Sequence, residues 1–356
     1  MNWQRLPTIE TNRRYTWQTC NGMPPAVHVF DERSRLAVEA AWSSGRPLLV
    51  RGEPGTGKSQ LARAVAEATA WRFVAEVITA QTEVQDLWYR FDAVSRLGQA
   101  QILSAITAPG SLKEGQIPEA LNPEKFLSPG ILWWAYDWQE ARKSYKSSHY
   151  PHFHPVLGSE LEERPAGVVL LIDEIDKADV DLPNSLLETL DMGSFRIPWI
   201  NRTVGCQLPG NSAAATRPLV IITTNEDRQL PPAFVRRCLV LHLALPDEQE
   251  RLVDFLVALG KQHFANDQGQ SQFDPEVLAR AASDLWQDRQ LAKKLGVMPP
   301  GQAEYLDILR VLSRLTVSKE EQLEKLNRIR DFALRKHPGM KQNEGSERAQ
   351  QEEDPK

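Results

Sequence analysis

Apolar residues along this chain fall into two patterns, and the change from one to the other predicts the architecture. Through the first two thirds, short unbroken apolar runs alternate with stretches of helical spacing. The runs are Pro47-Leu48-Leu49-Val50, Phe73-Val74-Ala75-Glu76-Val77-Ile78, Val168-Val169-Leu170-Leu171-Ile172, Leu219-Val220-Ile221-Ile222-Thr223-Thr224 and Leu239-Val240-Leu241-His242-Leu243. A strand that is apolar on both sides is buried on both sides. Five such runs with helices between them therefore predict a parallel sheet covered on both faces. Helical spacing marks Asp31 to Trp42, with Leu36, Ala37, Ala40 and Ala41 on one face. It recurs over Gln60 to Ala70, over Thr82 to Ile106 through Leu87, Phe91, Val94 and Leu97, and over Pro183 to Leu190. Phe195 to Val204 predicts a hairpin. After Pro246-Asp247 only helical patterns remain, over Glu248 to Leu259, Pro275 to Trp286, Glu304 to Leu315 and Lys319 to Leu334.

The resulting plan is an N-terminal arm over 1–25, an α/β domain over 26–245, a smaller all-helical domain over 246–338 and a disordered polar tail over 339–356. The arm is polar and proline-bearing, and is expected to lie on the α/β domain. Residues 108–165 are too long for a bare loop in a compact domain, so at least one helix is expected there.

Composition narrows the class. The chain has 356 residues, 41% of them apolar and a quarter charged, with a formal net charge of −5. That balance is ordinary for a soluble protein and argues against a nucleic-acid partner, leaving only a local basic groove open. Cys20, Cys206 and Cys238 are scattered without metal-ligand spacing, which fits a reducing cytoplasm. No apolar run reaches membrane-spanning length, and Met1-Asn2-Trp3-Gln4-Arg5 does not open a signal peptide. The expected location is cytoplasmic, with no membrane partner.

Candidate chemistry begins at Gly52-Glu53-Pro54-Gly55-Thr56-Gly57-Lys58-Ser59, which fits the phosphate-loop pattern G-x-x-x-x-G-K-[ST] at every fixed position. The glycines let the backbone turn its N–H groups onto an anion. Lys58 offers a point charge for the β- and γ-phosphates, and the Ser59 hydroxyl can ligate Mg²⁺. An apolar strand before the loop and a helix opening at Gln60 after it are the context such a motif needs. Asp173-Glu174 closes another apolar strand. The first carboxylate can hold Mg²⁺ alongside Ser59, and the second can polarise a water for attack on a γ-phosphate. Asp176, Lys177 and Asp179 read as helix-surface charges. Asn225 follows the strand Leu219 to Thr224, where an amide could orient the attacking water. Arg236-Arg237-Cys238 precedes the last apolar strand, and a guanidinium there could stabilise charge on a transferring phosphoryl group.

Taken in order, Gly52 to Ser59, Leu170 to Asp176, Ile221 to Asn225 and Leu230 to Cys238 resemble an AAA+ ATPase, and within that superfamily the MoxR-like branch. Asp86 to Ala93 and Pro129 to Trp134 resemble segments of one MoxR-like subgroup. The resemblance spans residues 25–335. It implies a P-loop AAA+ α/β domain with a five-stranded parallel sheet between helices, followed by a smaller helical lid. It also implies a homo-oligomeric ring, hexameric in the family, with ATP and Mg²⁺ at subunit interfaces and a protein partner remodelled by ATP-driven motion. That partner is often a von Willebrand factor A domain protein. By position, Gly52, Glu53, Pro54, Gly55, Thr56, Gly57, Lys58, Ser59 and Gln60 would hold nucleotide, and Ser59 and Asp173 the metal. Lys58, Glu174 as base, Asn225 as first sensor, and Arg237 or Arg236 as arginine finger would act in catalysis. One departure is that Pro299-Pro300-Gly301-Gln302-Ala303-Glu304 has no second-sensor arginine, leaving Gln302 or a later residue such as Arg310.

Two other functions fit parts of the chain. One is a motor or loader subunit of a nucleic-acid-processing complex, for which no basic module is appended. The other is an ATP-dependent assembly scaffold with little turnover, against which Glu174 speaks. His152-Phe153-His154 has metal-binding spacing but no partnering cluster, so it reads as a surface loop. Trp133, Trp134 and Trp138 read as core or as a docking patch, and Trp88-Tyr89 as core or pore lining.

Overall fold

The computed structural model describes residues 5–340 except 12, 18–25, 107–117, 150, 152–164, 206–216, 267 and 317. His152 and His154, Cys20 and Cys206, and the tail from 341 onward lie outside the described residues. In chain order the elements are β1 (Arg14–Trp17), β2 (Ala26–Val29), α1 (Glu32–Ser44), β3 (Leu48–Arg51), α2 (Lys58–Thr69), β4 (Arg72–Val77), α3 (Val84–Trp88), β5 (Tyr89–Phe91), α4 (Ala93–Ile106), β6 (Leu127–Pro129), α5 (Ile131–Tyr136) and α6 (Trp138–Ser147). They continue with β7 (Val168–Asp173), α7 (Asp181–Met192), β8 (Ser194–Ile197), β9 (Arg202–Gly205), β10 (Leu219–Thr224), α8 (Pro232–Arg237), β11 (Leu239–His242), α9 (Gln249–His263), α10 (Pro275–Lys294), α11 (Gln302–Leu315) and α12 (Lys319–Ala333). Two compact units emerge, one of Met1–Arg13, Phe30–Arg51 and Ser59–Leu241, the other of Arg14–Val29, Gly52–Lys58 and His242–Lys356.

The five apolar runs form the expected sheet, ordered β11-β3-β10-β7-β4. Leu48, Leu49, Val50, Leu170, Ile172, Ile221 and Ile222 are fully buried, as strands covered on both faces require. Each such side chain contributes roughly 1.5–3 kcal/mol when withdrawn from water. In parallel register Ile222 lies beside Ile172 and Thr224 beside Arg51. The next pair along is Thr223 and Asp173, so register alone brings a hydroxyl to a carboxylate at the carboxyl ends of two central strands. Helix α1 starts where the Asp31 carboxylate accepts the Ser34 N–H at 2.8 Å and stops at left-handed Gly45. The hairpin expected after Phe195 is β8–β9, with Ile197 opposite Arg202 and Asn201 turning it at φ 49°.

The helical pattern over Thr82 to Ile106 is not one helix. Tyr89 to Phe91 leave it to pair antiparallel with Leu127 to Pro129, and Asp92 then caps a new helix by accepting the Ser95 N–H at 2.8 Å. A Cβ on Gly130 would stand 2.4 Å from the Asp86 carbonyl, so the β6 end needs glycine to approach α3. No residue of α4 is buried, and Val94, Leu97, Ile102 and Ile106 face outward. Trp133, Trp134 and Trp138 belong to the core: all six residues of α5 are buried, and Trp134 meets Trp138 edge-on at 5.0 Å. Tyr89 is buried, and Trp88 stacks on Phe195 while its Nε1 donates to Thr189 Oγ1 at 3.1 Å. The docking-patch and pore-lining readings of these aromatics give way to core packing.

In the other unit, α9 to α12 enclose a core around Leu252, Leu256, Leu278, Leu285, Tyr305, Leu309 and Leu312. Gly260 admits the Tyr305 ring, whose hydroxyl would be 2.8 Å from an added Cβ. Helix α12 and the residues just after it are fastened to α10 by charge: Arg330 Nε meets Asp288 at 2.7 Å, Arg330 Nη1 meets Asp284 at 3.0 Å, and Arg335 Nε, past the helix end, meets Asp288 at 3.1 Å. Both aspartates are buried, and removing one partner would leave an uncompensated charge. The expected arm over 1–25 holds β1, and the span expected to open the α/β domain at residue 26 begins with β2. β1 and β2 form an antiparallel pair that groups with this helical unit, Arg14 Nη1 donating to the Ala265 carbonyl at 3.2 Å.

Candidate active site

The loop Gly52–Lys58 groups with the helical unit. Its geometry is one that only glycine sustains at three places, with φ 152° at Gly52, 76° at Gly55 and 84° at Gly57. At Gly52 a Cβ would stand 2.2 Å from the Leu243 carbonyl oxygen. Lys58 is buried, and its Nζ donates to the carbonyls of Gly52 and Glu53, each at 2.9 Å. Thr56 Oγ1 donates to the same Glu53 carbonyl at 2.8 Å. Pro54 and Gly55 lie against the start of α11, where Ala303 N–H donates to the Gly55 carbonyl at 3.2 Å. Gln60 is exposed near the start of α2.

Within the α/β unit, Ser59 Oγ reaches both Asp173 oxygens, at 2.8 and 2.9 Å. Thr223, fully buried at the end of β10, donates to Asp173 Oδ1 at 2.5 Å and accepts the Glu174 N–H at 2.9 Å. Glu174 stands at φ 58°, ψ 48°, a left-handed conformation that costs a non-glycine residue about 1–3 kcal/mol unless its surroundings enforce it. Its side chain is tethered by Asn225 Nδ2, 3.2 Å from Oε1. Four of the sequence candidates, Ser59, Asp173, Glu174 and Asn225, thus meet in one hydrogen-bonded chain.

Asp176 is not the surface charge its neighbours suggested. It is buried, and its two oxygens accept the backbone N–H groups of Asn225 at 3.3 Å and Asp227 at 3.0 Å. The loop carrying Asn225 is therefore hung from the segment carrying Glu174. Lys177, paired with Asp227 at 2.5 Å, braces the same loop, and that hydrogen bond raises the Lys177 pKa above its usual value. Sequence reasoning passed over both Asp176 and Thr223. Two hydroxyls ending an otherwise aliphatic strand, directly before Asn225, were the signal for Thr223. Asp176 carried none, because its partners lie some fifty residues downstream.

Arg236 and Arg237 end helix α8, and both are exposed. Arg237 Nη1 meets Asp191 Oδ2 at 3.2 Å, and Arg46 donates to the carbonyls of both arginines. Among the described residues neither arginine bonds Asp173, Glu174 or Asn225. Arg310 pairs with Asp307 one turn away on its own helix.

These residues fit a magnesium nucleotide. Asp173 and Ser59 present hard oxygen donors, and no cluster of three or more His, Cys, Asp or Glu side chains competes for a metal among the described residues. Mg²⁺ takes one or two protein oxygens and fills its shell with phosphate oxygens and water, which matches so sparse a set. When bound it would neutralise charge on the β- and γ-phosphates. No helix among the described residues is long and apolar enough to cross a membrane.

No curated protein matches the sequence. Among solved structures, a candidate ATPase of Cytophaga hutchinsonii is 14% identical with a TM-score of 0.36, covering 85% of this chain and 79% of its own. A proline-to-glycine variant of RuvB from Thermotoga maritima is 15% identical with a TM-score of 0.36, covering 79% of this chain and 69% of its own. The family described as AAA domain (dynein-related subfamily) matches residues 47–238, from the strand before the phosphate loop to the end of the α8 arginines. That match covers more than half of the sequence, and the chain belongs to the AAA domain family, dynein-related subfamily.

Proposed function

We propose that the chain is an ATP-binding and ATP-hydrolysing ring ATPase of the MoxR-like type, which spends hydrolysis on remodelling or assembling a protein partner. The observation that carries the reading is the hydrogen-bonded chain from Ser59 through Asp173 and Thr223 to Glu174 and Asn225. The loop backbone and Lys58 hold the phosphates, and Ser59 and Asp173 hold Mg²⁺. Glu174 takes a proton from the water that attacks the γ-phosphorus, Asn225 orients that water, and ADP departs with the cleaved bond's electrons. Arg237, with Arg236 beside it, serves the nucleotide of the neighbouring copy in a homo-oligomeric, hexameric ring. The partner class implied by the resemblance is a von Willebrand factor A domain protein. The test is Glu174→Gln, which keeps the hydrogen-bonding shape and removes the base. It should bind ATP with Mg²⁺ at undiminished affinity, hydrolyse none of it, and trap the partner in a pull-down. Undiminished turnover would overturn the assignment.

A further inference from the structure

The phosphate loop contains a carboxylate, Glu53, which is at odds with holding a polyphosphate. The structure answers it with one guanidinium. Arg289, near the end of α10, places Nη2 at 2.9 Å from Glu53 Oε2 and Nη1 at 2.6 Å from the Pro300 carbonyl. The Arg289 side chain is only 4% exposed, whereas Glu53 is 42% exposed. The arginine is thus a fixed fixture of the helical core and the glutamate is the movable member.

Glu53 is also where the loop ties itself together. Its carbonyl accepts from Lys58 Nζ and from Thr56 Oγ1, while its carboxylate accepts from Arg289. The second arm of Arg289 fixes Pro300, one residue before Gly301, which lies 3.3 Å (from an added Cβ) from the Pro54 carbonyl. Two residues further, Ala303 N–H bonds the Gly55 carbonyl. One guanidinium therefore sets both the loop and the α10–α11 corner that borders it. A bidentate fork is what arginine supplies and lysine does not.

We propose that Arg289 is a positioning residue for nucleotide binding: it neutralises Glu53, fixes the loop carbonyls that hold Lys58, and ties occupancy of the loop to the α10–α11 corner. This rests on the reading above that the loop takes ATP. Without Arg289 an uncompensated carboxylate stands in an anion site, and its repulsion of a polyphosphate weakens binding. The cost comes from Glu53 as much as from the missing arginine, so removing both should undo it.

The experiment measures binding of a fluorescent ATP analogue with Mg²⁺ to the full chain, its Lys58→Ala variant, Arg289→Gln, Glu53→Gln and the double variant. Thermal midpoints without nucleotide serve as the folding control. Arg289→Gln should raise Kd about tenfold or more. The double variant should return to the Kd of Glu53→Gln alone, and Arg289→Lys should fall between wild type and Arg289→Gln. Steady-state turnover should show the loss in KM rather than kcat. A merely structural Arg289 would lower the midpoint of the double variant as far as that of Arg289→Gln and leave its Kd unrescued, which overturns the proposal. Binding by wild type but not Lys58→Ala, with Arg289→Gln unchanged, overturns this proposal alone. No binding by wild type overturns the ATP reading with it.

Discussion

The Thr223 hydroxyl donates to Asp173 Oδ1 at 2.5 Å while accepting the Glu174 N–H at 2.9 Å. One side chain from β10 therefore orients the carboxylate assigned to the metal and clamps the backbone of the residue assigned as base. Glu174 keeps its left-handed conformation because that N–H has a fixed acceptor and because Asn225 holds its carboxylate. Thr223→Val keeps the shape and removes both bonds, leaving the half-buried Glu174 N–H without that acceptor at a cost of about 1 kcal/mol. ATP turnover should fall about tenfold or more with KM for ATP changed much less. Thr223→Ser, which keeps the hydroxyl, should restore most of kcat. Equal kcat in the valine and wild-type proteins would show that Thr223 only fills space.

Asp176 supports the next level of the same centre. It accepts two backbone N–H groups of the Asn225 loop from a buried position, so Asp176→Ala strands two donors. A loss of about 2–4 kcal/mol of stability is expected, read as a lower thermal midpoint. Asp176→Asn retains one acceptor and should fall between the two. If Asp176→Ala unfolds at the wild-type temperature, the loop is held by Lys177 and Asp227 instead.

The sheet was legible because buried parallel strands are written as continuous apolar runs, and each of the five lies within a residue or two of its expected place. The loop and the pair Asp173-Glu174 were legible for a different reason: anion binding and strand-end carboxylates impose fixed local spacing. What stayed hidden depends on partners distant in the chain. Tyr89 to Phe91 carry helical spacing, yet pairing with β6 overrides it. The β1 and β2 strands are only four residues each, too short to show a period, and Arg289 was not singled out because its partner Glu53 lies over two hundred residues earlier. Residues 299–304 hold no arginine and Arg310 pairs within its own helix, whereas the arginine touching the loop is on the preceding helix.

Arg237 pairs with Asp191 at 3.2 Å, both side chains being about half exposed. A surface pair of this kind is worth only about 0–1 kcal/mol, so the guanidinium can be given up to another acceptor at little cost. Under the proposed ring assembly, Arg237→Ala subunits should bind ATP yet turn it over at least about a hundredfold more slowly. Mixing them with Glu174→Gln subunits should restore part of the activity, because some interfaces then join an intact arginine to an intact glutamate. Mixed rings that form and show no rescue would point to Arg236. Asp191→Ala, which removes only the surface partner, should leave stability within about 1 kcal/mol of wild type.

His263 closes α9 in a half-buried position, and its surroundings hold it neutral. Burial is the main cause, and the positive charges of His28 on β2, Arg310 on α11 and Arg14 on β1 add to it, lowering its pKa from 6.5 to about 4. The unfolded chain binds a proton near pH 6.5 that the folded chain refuses until about pH 4. Stability from this group is therefore complete above pH 6.5 and is lost as the pH falls toward 4. Between pH 7 and 5 that amounts to about 2 kcal/mol. The carboxylates of Asp247 and Glu304 also have lowered pKa values. Lys293 lowers the first, while for the second Lys336 and the Gly301 N–H outweigh the upward push of burial. Both act only below their usual values of 3.8 and 4.5, whereas burial raises the Glu76 carboxylate, which opposes the histidine as the pH falls, so the comparison with His263→Gln is what separates the two. Thermal midpoints of wild type should fall across that window, and those of His263→Gln should change much less. Parallel curves for the two proteins would place the acid sensitivity elsewhere in the chain.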